Sequence, residues 1–124
     1  EMKDCEWQAG AFGMTGLETA LPILIETMVN TGRMDWADVA RVMSTVPARI
    51  GRVESQGQGI VVGAPAHVTL VDATVRVTVD PAKQWTRSTN CPFRGMELPG
   101  QVRYTIFGGV PTVVDATPIA KEDR

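Results

Sequence analysis

The chain has 124 residues, 44% of them hydrophobic and 21% charged, the proportions of one soluble globular domain or of pieces of two. Twelve basic residues against fourteen acidic ones leave a net charge of −2, so no basic field is available to gather nucleic acid or an anionic membrane surface. No apolar run approaches the roughly 20 residues of a membrane span, and a single histidine, His67, excludes a multi-histidine metal centre or a histidine triad built by this chain alone.

The first half reads as helical. A glycine-containing opening (Gly10, Gly13, Gly16) leads into Leu17, Leu21, Leu24 and Met28, an apolar stripe at helical spacing. Thr19 is the expected N-cap, which places Pro22 in the first turn, where its missing N–H costs little. Asn30-Thr31-Gly32 is a stop signal. Asp35 is the expected second N-cap, ahead of Trp36, Val39, Ala40 and Met43, with the helix ending near Ser44. Thr45 to Gly51 then reads as a separate short helix, with Thr45 at its cap, Pro47 near its start and Gly51 just past its end.

From about Glu54 the period changes. Residues 52–58 form a hinge, and Gly63-Ala64-Pro65-Ala66 is a turn. Alternation predicts strands over 67–72, 75–79, 102–107 and 110–115, with Gly108-Gly109 supplying the positive φ angles of a hairpin and Pro111 marking an edge position. The last residues, 121–124, are expected to fray. Neither the helical half nor the β half encloses its own apolar faces, so both look incomplete.

Few residues carry chemistry on their own pattern. The loop from Ala9 to Gly16 lets backbone N–H groups approach a ligand and feeds a helix N-terminus that favours an anion, yet it matches neither the phosphate-loop nor the dinucleotide pattern, and a tight turn is its simpler reading. His67 reads as a strand-edge residue, because no Cys, Asp or Glu stands at ligand spacing from it. Asp4, Glu6 and Glu18 read as solvated charges rather than an acid–base pair. Cys91 reads as a buried small side chain, and Trp7, Trp36 and Trp85 as packing anchors. Cys5 and Cys91 show no CxxC or disulfide-framework spacing. Two thiols and no leader pattern fit a cytoplasmic protein.

Taken in order, several segments resemble the dihydroorotases of the amidohydrolase superfamily. Phe12-Gly13-Met14-Thr15-Gly16-Leu17-Glu18-Thr19-Ala20-Leu21-Pro22 is similar to that family's F-G-x-x-G-L-E-T-x-L-P loop. Met43 to Ile50 resembles its S-x-N-P-A-R-I turn, Gly63 to Leu70 its G-x-x-A-D-L-T-L strand, and Ser88 to Gly95 its S-x-N-x-P-F-x-G segment. The later motifs are shared with hydantoinases and allantoinases, whereas the Phe-Gly and Gly-Leu-Glu-Thr pairing favours dihydroorotase. Ala11 stands where a proline is usual, Val46 where an asparagine is, and His67 where an aspartate is.

The resemblance implies an α/β fold: the C-terminal part of a (β/α)8 TIM-barrel metal-dependent hydrolase, with residues 1–54 as the last loop and helices of the barrel and residues 55–124 as the C-terminal strands of a small β-sandwich. It implies reversible cyclisation of N-carbamoyl-L-aspartate to L-dihydroorotate in pyrimidine synthesis. Phe12 and Gly13 match the pair that contacts the dihydropyrimidine ring. Zinc would be held by histidines, a carboxylated lysine and an aspartate general base, none of which matches a position in this chain. Implied partners are the remainder of the barrel, a small-molecule substrate, and a second copy or aspartate carbamoyltransferase, with no nucleic acid or membrane. An inactive scaffold subunit, another cyclic amidohydrolase and an independent small binding domain are the alternatives.

Overall fold

A computed structural model describes residues 5–10 and 13–120. Helices come first and an antiparallel sheet follows, the expected order. A single 3-10 turn, Trp7–Ala9, precedes them.

Helix α1 (residues 20–29) is α-helical over Ala20–Leu24 and widens to a π-helical turn over Ile25–Val29. The widening has a local cause. The Thr27 hydroxyl donates to the Ile23 carbonyl at 2.7 Å, competing with backbone N–H groups for that acceptor, and the Asn30 N–H reaches back five residues to Ile25 O at 2.9 Å. Thr19 precedes the helix but does not cap it with its side chain. Its hydroxyl turns back to Gly16 O at 3.3 Å, and the residue is buried.

Helix α2 (residues 36–51) opens on the expected cap. Asp35 Oδ1 accepts from the Asp38 N–H at 2.8 Å and Asp38 returns a carboxylate to the Asp35 N–H, a reciprocal capping box. The predicted break at Ser44 does not occur. Thr45 has helical angles (φ −61°, ψ −48°), so two expected helices are one. A π-helical turn over Arg41–Thr45, just ahead of Pro47, lets the helix pass a ring that would otherwise meet the carbonyl four residues back. Gly51 stays helical, and Arg52 takes the left-handed cap at φ 55°.

Strands β1 (Val68–Thr78), β2 (Glu97–Phe107), β3 (Val110–Val114) and β4 (Thr117–Pro118) form one antiparallel meander in that order. The two strands expected over 67–79 are a single bent one. Asp72 pairs with Gln101 and Arg76 with Pro99, so residues 73–75 bulge opposite Gly100. Asp72 Oδ1 shapes the bulge by accepting from the Thr74 N–H at 3.0 Å and its hydroxyl at 2.7 Å. Because the ladder is already interrupted there, Pro99 and Gly100 do not end β2, which starts five residues before the expected Val102. Pro111 lies beyond the reach of β4, in keeping with its edge reading.

Helix α1 lies on β2. Among the described residues Ile25 and Leu98 are the largest fully buried side chains, and Gly100, at φ +90°, lets α1 and β2 approach: a Cβ there would stand 2.5 Å from Ile25 Cδ1. Arg76 fastens the edge of this contact, donating to both Glu26 oxygens at 3.3 Å and to Glu97 O at 2.7 Å. The Arg76 hydrogen bond holds the Glu26 carboxyl below its ordinary range. A depressed carboxyl stabilises the fold above its unfolded value and loses that contribution as pH falls. Acidification through the ordinary glutamate range is therefore expected to lower the denaturant midpoint slightly, the pair being exposed, and Glu26→Gln to remove that part of the pH dependence.

Among the described residues the buried hydrophobic side chains are Ile25, Val39, Cys91 and Leu98, while Leu17 is 98% exposed and Trp7 92%. Trp36 and Trp85 are exposed too, so the expectation of three tryptophan packing anchors is not met within these residues. A self-contained domain of this size does not display its large apolar side chains so freely.

Candidate functional site

Of the two expected substrate-contacting residues, Phe12 lies outside the described residues and Gly13 is described. Gly13 sits at φ +78°, a conformation that L side chains rarely adopt, and a Cβ on it would meet nothing within 4 Å. Its glycine is therefore required by backbone shape, and the side of the loop on which a side chain would stand is open.

The loop is not self-supporting. Asn90 Nδ2 donates to Gly13 O at 2.7 Å, and Asn90 O accepts from the Thr15 N–H at 2.9 Å and the Thr15 hydroxyl at 3.3 Å. Three residues later, Glu18 presents both carboxylate oxygens to the N–H groups of Trp85 and Thr86, each at 3.1 Å. Glu18 is exposed, as expected of a solvated charge, and its carboxylate also serves as an acceptor for the far segment. The bond to Asn90 also occupies the Gly13 carbonyl, the group of that peptide that would repel an anion.

The far segment is itself anchored. Asp80 caps the 3-10 turn Pro81–Lys83 by accepting from the Ala82 N–H. Cys91 is buried as expected and its N–H bonds Thr89 O at 2.8 Å, while the Gly95 N–H donates to Val79 O and the Val79 N–H to Met96 O, joining the segment to the end of β1. In the sequence Glu18 appears only as a candidate carboxylate and Asn90 only within a quoted motif; their contact is not legible there because the bonded partners lie 67 to 77 residues away.

His67 is a strand-edge residue, as read. Its Nδ1 accepts from the Gly108 N–H at 3.2 Å, its ring meets Phe107 edge-on at 4.9 Å between centroids, and Gln56 Nε2 lies 3.2 Å from Nδ1. Among the described residues no three His, Cys, Asp or Glu side chains converge as a metal site. These residues do not fit a zinc centre.

A cleft of about 460 Å³ opens between the start of α1 and the sheet, lined by Leu17, Leu21, Trp85, Leu98 and Val102 among others. Gln84 Oε1, on its wall, is buried without a hydrogen-bond partner. The wall is mainly apolar, and the cleft has the character of an uncovered packing surface. No helix among the described residues is long and apolar enough to cross a membrane.

A helical pair followed by this meander is the arrangement of a segment of the cyclic amidohydrolases. The L-hydantoinase (dihydropyrimidinase) of Arthrobacter aurescens matches 91% of the chain with a TM-score of 0.81 at 26% identity, over 25% of that structure. A D-hydantoinase from Thermus sp. matches 94% of it, also at TM-score 0.81, at 24% identity. Sequence narrows the class. The dihydroorotase of Streptomyces coelicolor is 54% identical over 115 residues, 93% of this chain and 27% of that protein, and that of Mycobacterium tuberculosis is 44% identical over 113 residues. In sequence the chain is similar to the C-terminal part of a dihydroorotase. It spans about a quarter of the length of the curated relatives it matches. No protein-family model matches it.

Proposed function

We propose that these residues belong to a zinc-dependent dihydroorotase that interconverts N-carbamoyl-L-aspartate and L-dihydroorotate in the cytoplasm, for pyrimidine biosynthesis. The observation that carries this reading is the 54% identity to a curated dihydroorotase over 93% of the chain. Residues 1–54 are read as the last loop and helices of a (β/α)8 barrel and residues 55–124 as part of its β-sandwich. The exposed Leu17 and Trp85 and the apolar cleft beside them are read as surfaces that the remainder of the same polypeptide covers.

In this reading Phe12 and Gly13 form the substrate loop. Gly13 contributes backbone shape, an open approach and a carbonyl already engaged by Asn90, which together suit a ring that carries a carboxylate. Zinc supplies electrophilic activation of the ring amide when bound, and its ligands lie outside these residues.

The test is made on the complete polypeptide. Opening of L-dihydroorotate that is lost on chelation and restored by zinc is the expected result. Preferential turnover of hydantoin or allantoin would move the assignment to another cyclic amidohydrolase. A complete sequence without the histidines, lysine and aspartate that the resemblance assigns to zinc would favour an inactive scaffold. Sedimentation of that polypeptide, alone and with aspartate carbamoyltransferase, reads whether it forms a homodimer or such a complex.

A further inference from the structure

We infer that Asn90 is a positioning residue for the substrate loop, and that with Glu18 it makes the 85–90 segment a clamp that sets the loop's shape. The inference rests on the function proposed above and assigns to this segment a role in substrate binding. Three bonds join Asn90 to the loop. Its side-chain amide donates to Gly13 O at 2.7 Å, and its backbone carbonyl accepts from both the N–H and the hydroxyl of Thr15. One residue thus holds the peptides on both sides of Met14. Glu18 repeats the device at the other end of the loop, taking the N–H groups of Trp85 and Thr86 on its two oxygens.

The clamp can impose a shape because it is the stiffer partner. Cys91, next to Asn90, is buried, Pro92 fixes the following φ, and short bonds from Cys91 N to Thr89 O and from Met96 N to Phe93 O close the turn on itself. The Gly95 N–H bonds Val79 O at 2.8 Å and the Val79 N–H bonds Met96 O at 2.9 Å, so the turn is continuous with the sheet. Gly13, by contrast, has a φ of +78° and, among the described residues, nothing within 4 Å of where a Cβ would stand. Loss of the Asn90 amide donor would leave the sheet and the zinc ligands in place and release the loop.

The experiment compares the complete polypeptide with its Asn90→Asp and Asn90→Ala variants. Asp keeps the size of the side chain and replaces the N–H donor with an acceptor facing Gly13 O; Ala removes the group without adding charge. The expected result is a KM for L-dihydroorotate raised at least tenfold with kcat within about threefold of the parent, unchanged zinc content and melting, and faster hydrogen exchange over residues 13–16. Unchanged exchange there in both variants would overturn the clamp whatever the activity does, and a fall in kcat at unchanged KM would overturn its role in substrate binding. A parent protein that binds and turns over no dihydroorotate would sink the functional reading instead, and faster exchange in the variants would still register the clamp.

Discussion

Gly100→Ala is expected to destabilise the complete protein by about 3 kcal/mol, from about 1–3 kcal/mol of overpacking and 1–2 kcal/mol of left-handed backbone strain. The new methyl group would meet Ile25 Cδ1 at 2.5 Å, at a residue held at φ +90°. These two costs can be separated. Ile25→Val removes the colliding methyl and on its own costs about 1 kcal/mol. In that background Gly100→Ala keeps only the backbone part, so the pair of changes should cost less than the sum of the singles by roughly 1–2 kcal/mol. Denaturant midpoints for the four proteins of the cycle measure this. Strict additivity would mean that α1 does not rest on β2 at Gly100 as described.

Gly13→Val is expected to raise the KM for L-dihydroorotate by at least about tenfold while leaving zinc content unchanged. Among the described residues no atom beyond its chain neighbours lies within 4 Å of the added Cβ, so crowding by them is not the cause. The cost comes from φ +78°, worth about 1–3 kcal/mol for a residue with a side chain, and the loop escapes it by moving away from Asn90. A substitution series tests the mechanism. Asn tolerates the left-handed region better than Ala, and Val tolerates it least. If backbone shape governs, KM rises in the order Asn, Ala, Val, even though Asn is larger than Ala. A rise that follows side-chain volume would instead indicate a steric block, and parallel loss of zinc would remove the loop from substrate binding.

How far the sequence discloses this structure depends on how local each cause is. The Asp35 cap and its reciprocal Asp38 lie within four residues of each other, and the Gly108-Gly109 hairpin carries its positive φ angles (58° and 83°) on glycines, so both are legible. The turn into β4 is not legible, because Asp115 and Ala116 hold φ 47° and 62° without glycine. Asp115 is kept there by bonds from Arg103 at 2.9 Å and Tyr104 at 3.1 Å on a neighbouring strand. The continuity of β1 through its bulge likewise depends on pairing with residues some 30 positions away. At the site, the resemblance singles out Phe12 and Gly13; Phe12 lies outside the described residues, and Gly13 holds a positive φ that glycine adopts without strain. Asn90 and Glu18 lie beyond the reach of spacing arguments because their bonds span 67 to 77 residues.

That long reach has a consequence during synthesis. Gly13, Thr15 and Glu18 are translated well before Trp85, Thr86 and Asn90, so the nascent loop has no template until that segment emerges. A polypeptide halted short of residue 90 would lack every bond that Asn90 makes to Gly13 and Thr15, so the loop takes its final shape only after that segment has been made.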